Sequence, residues 1–215
     1  MATHYYTAAS IDGFIATPEH SLHWLFRQDF DTAGPMAYPA FIERIGALVL
    51  GASTYEWLRR HQESWEYTQP TWVFTHRDLP VPDGADVRIE QGDVARVFPE
   101  IVRAAAGTDV WVMGGGDLAG QVADAGLLDE VWVQFAPVTL GAGQPLLPRA
   151  LQLELLETAR NRDFVCARYR VLGALPGTAR PALTVSQGAM RESGPPAPSR
   201  LVPPGCVDRS RSFQG

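Results

Sequence analysis

The sequence contains no lysine; all 18 of its basic residues are arginine. That excludes a lysine Schiff base, and with it pyridoxal-phosphate catalysis, and it excludes the lysine of a phosphate-binding P-loop. Cysteine is almost as scarce. Cys166 and Cys206 cannot make a zinc site alone, and a reducing, cytoplasmic setting is the expectation. No apolar run approaches the length of a membrane span, and the opening MATHYYTAAS lacks the charged-then-apolar form of a secretory signal. Positive charge is not in excess either. With 24 acidic residues against 18 basic ones, general binding to nucleic acid or to a membrane surface is not expected.

What is present suits one domain. A chain of 215 residues, 46% of them hydrophobic, buries a substantial core. Short β-rich runs alternate with helical patterns: strands at THYYTAAS, ALVLG, TWVFT, DVWVMG and DEVWVQFAPV, and helices at PMAYPAFIERIG (ending at Gly46), STYEWLRRH, VFPEIVRAAAG and DLAGQVADAG. Pro99 suits the first turn of its helix. LQLELLETARNR and DFVCARYRVLG read as a closing antiparallel pair. Alternating βα units imply a mainly parallel sheet with helices on both faces and an antiparallel C-terminal edge. The domain is expected over residues 1–175. Residues 176–215, rich in Pro, Gly, Ser and Arg, read as a disordered tail that buries too little to offset its ordering entropy.

Three strand exits gather groups suited to an anion. In LVLGASTYEWL, Ser53 and Glu56 have capping-box spacing, which starts the helix just after Gly51. The glycine admits a ligand, and the Ser53 and Thr54 hydroxyls donate to phosphate oxygens. An ordinary capped helix is the alternative. In VWVMGGGDLAG, Gly114, Gly115 and Gly116 remove Cβ atoms where a strand turns into a helix whose dipole favours a diphosphate. Asp117 would repel that anion, so it is expected to cap its own helix, turned away. In VFTHRD, Thr75, His76 and Arg77 offer a hydroxyl, an imidazole and a guanidinium suited to a phosphate monoester, with a solvated loop as the alternative. A diphosphate plus a further phosphate describes NADPH. An ordinary Rossmann dehydrogenase fails, because Asp129 and Glu130 stand at the wrong end of the next strand to meet a ribose.

The order of these motifs resembles the dihydrofolate reductase superfamily, and within it the reductase domain of the bifunctional riboflavin-biosynthesis deaminase–reductase. SIDGFIA is similar to that domain's S-[LI]-D-G-x-I-A. LVLGASTYEWL is similar to its G-R-x-T-Y-E segment, and VMGGGDLAGQVADAGLLDEVWVQFAPVTLGAGQPLLP to its glycine triplet, L-x-D-E strand and P-V-x-L-G-x-G-x-P-L loop. The resemblance spans roughly residues 3–172. It implies a dihydrofolate-reductase-like three-layer α/β sandwich and NADPH laid across the sheet. The nicotinamide would lie beside Ala8, Ile15 and Ala16, the diphosphate between Ser53–Thr54 and Gly114–Gly116 with Asp117 and Leu118 adjoining, and the adenosine phosphate by Thr75–Arg77. It further implies hydride transfer to a pyrimidine- or pterin-like substrate, and a homodimer with the C-terminal strands as a natural seam.

Two departures bear on the site. Ala52 stands where the family often has arginine, which relaxes the preference for NADPH over NADH. Asp29, five residues after Trp24, best matches the ring-binding carboxylate of dihydrofolate reductases and is the candidate catalytic and substrate-binding residue, with Trp24 lining the pocket. Asp31 competes with it, and both also read as solvated loop carboxylates; Trp24 equally reads as packing. Asp12 is expected to form a turn with Gly13. His20 and His23 lie in the presumed substrate loop, but no third ligand stands at suitable spacing, so no metal is expected. No H-x-E…P-C-x-x-C deaminase motif is present, which leaves a reductase role alone. The competing class is a nucleotide- or pterin-binding protein that keeps the cleft without turnover.

Overall fold

The structure is a computed structural model and describes residues 1–177. The expected tail lies outside the described residues from position 178 onward. Along the chain come β1 (Thr3–Ser10), β2 (Phe14–Ala16), α1 (Tyr38–Ile42), β3 (Ile45–Gly51), α2 (Ala52–His61), β4 (Thr71–Phe74), β5 (Val87–Glu90) and α3 (Val94–Ala104). They are followed by β6 (Asp109–Gly114), α4 (Gly116–Asp124), β7 (Glu130–Ala136), β8 (Gln144–Pro145), β9 (Leu151–Asn161) and β10 (Phe164–Ala174).

Eight strands form one sheet in the order β5-β4-β3-β6-β1-β7-β10-β9. Its first six members are parallel to their neighbours, and β10 runs antiparallel to both β7 and β9. The apolar runs of the central strands follow from this arrangement. Successive side chains point to opposite faces, and both faces are covered, so every position must be apolar. In β3, Ala47 and Val49 pack with Val97, Phe98 and Ile101 of α3 and Leu118 and Val122 of α4. The alternate residues Leu48 and Leu50 pack on the other face with Phe41 of α1 and Tyr55 and Leu58 of α2. The outcome is a three-layer α/β sandwich with an antiparallel C-terminal edge. Among the described residues no helix is long and apolar enough to cross a membrane.

Two local expectations need correction, and two features go beyond what was expected. The helix expected to end at Gly46 stops at Ile42, and Gly46 belongs to β3, where a Cβ would meet Thr108 Oγ1 and the Ala105 carbonyl. Pro99 lies in the middle of α3 rather than in its first turn; Asp93 supplies the N-cap, accepting from the Ala95 N–H at 2.9 Å. The buried stripe Val94, Val97, Phe98 and Ile101 holds the helix against the sheet despite the missing N–H. The strand at Val87–Glu90 and the two short strands β2 and β8 carry too few residues for periodicity to reveal. Asp12 does more than turn the chain: its carboxylate accepts from the Ser10 hydroxyl at 2.6 Å and from the N–H groups of Leu140 and Gly141. These bonds, the Ser10 one foremost, hold its carboxyl below the ordinary range against desolvation.

At the amino ends of the strands, Asp109 binds the Ala2 N–H at 2.7 Å and Arg44 at 2.6 Å, with His4 Nε2 at 3.1 Å. Burial pushes its carboxyl up, but the Ala2 N–H, His4 and Arg44 outweigh that and hold it below its ordinary value. A group with a depressed folded pKa adds stability that is complete above its unfolded value, about 3.9, and is lost as pH falls through the folded one. Asp109→Asn is therefore expected to cost roughly 1–2 kcal/mol at neutral pH, below the fully buried range because Arg44 is half exposed. Its unfolding temperature should also fall less steeply than that of the wild type between about pH 5 and about pH 2. Parallel acid limbs in thermal melts would show that the carboxylate contributes nothing.

Candidate functional site

At the opposite, carboxyl ends of the strands a cavity of about 420 Å³ opens across β3, β6 and β1. Two helices begin at its wall directly after strands. Gly51 is the N-cap of α2 and Gly115 that of α4, and neither helix receives a side-chain capping bond. Away from the cavity, α3 is capped by Asp93, while the short α1 also lacks a side-chain cap. A helix start leaves up to four N–H groups without intrahelical partners, and here two such starts face one space. The capping box expected at Ser53 and Glu56 is absent: the helix starts at Ala52, so Ser53 already lies inside the first turn, and Glu56 binds Arg77 instead.

The backbone is bare at this point. Gly51 and the glycine pair approach closely, since a Cβ on Gly51 would sit 3.6 Å from the Gly114 carbonyl oxygen and the Gly115 nitrogen. The Gly114–Gly115 peptide is cis, and Gly114 has a φ of +148°. Asp117 does not cap α4. Its carboxylate accepts from Gln121 at 2.9 Å and from both terminal nitrogens of Arg149 at 3.1 Å. Gln121 first and Arg149 with it hold the carboxyl below its ordinary range. Its charge is thus compensated from the side, and among the described residues no arginine lines the cavity itself. Any anion there would be held by main-chain N–H groups and by the Ser53 and Thr54 hydroxyls.

The structure brings together Ala8, Ile15, Ala16, Gly51, Ser53, Thr54, Gly114, Gly115, Gly116, Asp117 and Leu118 on this one wall. Ile15 and Ala16 reach it because β2 pairs with β8 across the cavity mouth. Thr75, His76 and Arg77 lie just beyond Phe74, which does line the cavity, but are not on its wall themselves. There the Arg77 guanidinium donates to both carboxylate oxygens of Glu56, at 2.9 and 3.1 Å.

Asp29 and Trp24 stand elsewhere. The Asp29 side chain is 64% exposed and pairs with Arg162 at 3.4 Å, which does not fit the expected ring-binding carboxylate. The cause is a distant tie. The buried Asn161 amide donates to the carbonyls of Asp31 and Pro35 at 3.0 and 3.2 Å, which fastens this loop to the β9–β10 hairpin. Asp31 in turn accepts from the Ala33 N–H within a turn. Trp24 packs with Ala136, Phe164 and Cys166 behind the wall, while its neighbours Leu22 and Leu25 line the cavity.

Further wall residues were not singled out by sequence. Trp57 and Gln121 follow Ser53 and Asp117 by four residues, so helical spacing was a usable signal for both. Gln144 and Pro145 sit in the G-x-G-x-P loop motif. Thr7, Leu22 and Leu25 had no local signal at all, whereas His20 stands in the loop expected to meet the substrate. Among the described residues no three His, Cys, Asp or Glu side chains cluster to hold a metal.

Residues 4–166 match the model of the RibD C-terminal domain. The chain belongs to the RibD C-terminal domain family. Uncharacterized protein YwjB of Bacillus subtilis (strain 168) is 32% identical over 160 residues, covering 74% of this chain and 90% of that protein. Among solved structures, the "Putative riboflavin biosynthesis protein" of Shewanella sp. PV-4 has a TM-score of 0.69 at 24% identity, over 80% of this chain and 99% of that one. The diaminohydroxyphosphoribosylaminopyrimidine deaminase/5-amino-6-(5-phosphoribosylamino)uracil reductase of Thermotoga maritima has a TM-score of 0.57 at 15% identity, over 79% of this chain and 56% of that one. Dihydrofolate reductase of Enterococcus faecalis, complexed with NADP(H), has a TM-score of 0.50 at 14% identity, over 80% and 96% of the two chains. The RibD C-terminal domain family and this chain thus share a dihydrofolate-reductase-like α/β fold.

Proposed function

We propose that this member of the RibD C-terminal domain family is a reductase that binds NADPH in the cavity and acts on a pyrimidine- or pterin-like heterocycle. One observation carries the reading: two helices lacking side-chain caps start at glycines on a single cavity wall, which concentrates main-chain donors where a diphosphate would lie. The sheet order supplies the rest. From β4 through β3 and β6 to β1 is three interstrand steps, about 14 Å, long enough to seat two nucleotides joined by a diphosphate. The adenosine half would lie towards Phe74 and the nicotinamide towards Ala8, Ile15 and Ala16. A reduced nicotinamide, when bound, supplies a hydride. The chain's part is to fix its position with Ile15 and Ala16 and to keep water from the ring with Leu22, Leu25 and Trp57.

A second reading, a nucleotide- or pterin-binding protein without turnover, draws on the position of Asp29, which lies outside the cavity. Two measurements separate them. Because Trp57 lines the wall, NADPH is expected to quench tryptophan fluorescence saturably, and loss of reduced-nicotinamide absorbance on adding dihydrofolate or 5-amino-6-(5-phosphoribosylamino)uracil would mark an enzyme. Quenching without oxidation across a panel of such heterocycles would favour the binder. No quenching and no oxidation would sink both.

A further inference from the structure

The pair Arg77–Glu56 lies off the cavity wall, close to Phe74 and Ala52, which line it; on the reading above, that end of the cleft takes the ribose whose 2′-position distinguishes NADPH from NADH. Arg77 follows Phe74 by three residues, and its own N–H donates to Thr75 Oγ1 at 3.0 Å, which folds the loop back towards α2. Glu56 lies one helical turn after Ala52, on the same face of α2, and Ala52 lines the cavity. Both terminal nitrogens of Arg77 donate to Glu56, at 2.9 and 3.1 Å, the two-pronged geometry by which a guanidinium would otherwise take a phosphate.

We propose that Glu56 is a specificity-determining residue: by engaging Arg77 it cancels the charge that would select a 2′-phosphate, and the cleft takes NADH and NADPH with similar affinity. A phosphate dianion brought to this spot gains from the guanidinium and loses to the carboxylate bound to it. Turning Arg77 towards the phosphate would leave Glu56 beside it unpaired. At position 52 a methyl group offers no second cation. Both members of the pair are partly exposed, 54% for Arg77 and 35% for Glu56, so the balance between them is modest and reversible by one substitution.

The test is the ratio of dissociation constants for NADH and NADPH, from fluorescence titrations of the full chain. The wild type is expected to hold the two within about tenfold. Glu56→Gln leaves Arg77 free and should tighten NADPH about five- to tenfold with NADH unchanged. Arg77→Ala leaves the carboxylate and should weaken NADPH selectively. In the double variant the ratio should return to the wild-type value, which a merely structural role for the pair would not produce. A wild type that prefers NADPH by more than about tenfold, or an unchanged ratio in Glu56→Gln, overturns the proposal. Failure of both coenzymes to bind the wild type would instead remove the reading of the cleft on which it rests.

Discussion

Replacing Gly115 with valine is expected to weaken NADPH binding by about a hundredfold or more while leaving the fold intact. Two facts separate these effects. Gly115 has φ −83° and ψ −178°, an extended conformation that any residue adopts, so valine brings no backbone strain. A Cβ there would have Ile15 Cδ1, at 4.0 Å, as its nearest neighbour, so the new side chain projects into open cavity rather than into packed protein. It would stand between the α4 N–H groups and the diphosphate. Hydrogen bonds to a charged group contribute about 1.5–3 kcal/mol each, so losing one or two accounts for the expected drop. The check is a coenzyme titration beside a thermal melt. Wild-type affinity in a folded Gly115→Val protein would mean that these amides do not hold the ligand.

The next residue should fail in the opposite way. A Cβ on Gly116 would lie 2.2 Å from the Pro145 carbonyl oxygen, 2.4 Å from that of Leu146 and 2.8 Å from the Leu146 carbonyl carbon. All three are backbone atoms and cannot rotate aside. The Leu146 carbonyl is also held from below by the buried Tyr5 hydroxyl, which donates to it at 3.0 Å. Gly116→Ala must therefore push the start of α4 away from the loop that follows β8. The expected cost is about 3 kcal/mol, the upper end for overpacking, or a fall of roughly 6–12 °C in unfolding temperature for a domain of this size. A melt within a degree or so of the wild type would show that helix and loop part easily. Neighbouring glycines thus differ: a side chain at Gly115 would enter open cavity, whereas one at Gly116 would meet the chain itself.

Much of this was legible locally. The continuous apolar runs at residues 47–50, 110–113 and 131–133, short and rich in β-branched residues, read as strands covered on both faces, and the glycine triplet marked the place where such a strand turns into a helix. The closing pair at residues 151–174 was readable as antiparallel. These features depend on side-chain period and on the absence of Cβ atoms, properties carried within a few residues of chain.

By itself, then, the sequence determined the layered α/β architecture, the places where a strand turns into a helix at glycine and the absence of any lysine chemistry; that those helix starts carry no side-chain cap was decided by the tertiary structure. Tertiary structure alone decided which side chains face the cavity. Glu56 had the spacing of a capping partner, yet Arg77, 21 residues away, binds its carboxylate in the folded chain. Asp29 was the best match to the ring-binding acid that the resemblance implied, but Asn161, over a hundred residues further on, fastens its loop to the hairpin, and the carboxylate stands in solvent. Pro145 meets the cavity because a two-residue strand pairs with β2. The physical reason is common to the two carboxylates. A local pattern lists the bonds a residue is able to make with its neighbours in sequence, whereas a charged or polar side chain takes the best partner that folding brings within hydrogen-bond reach, at whatever distance along the chain.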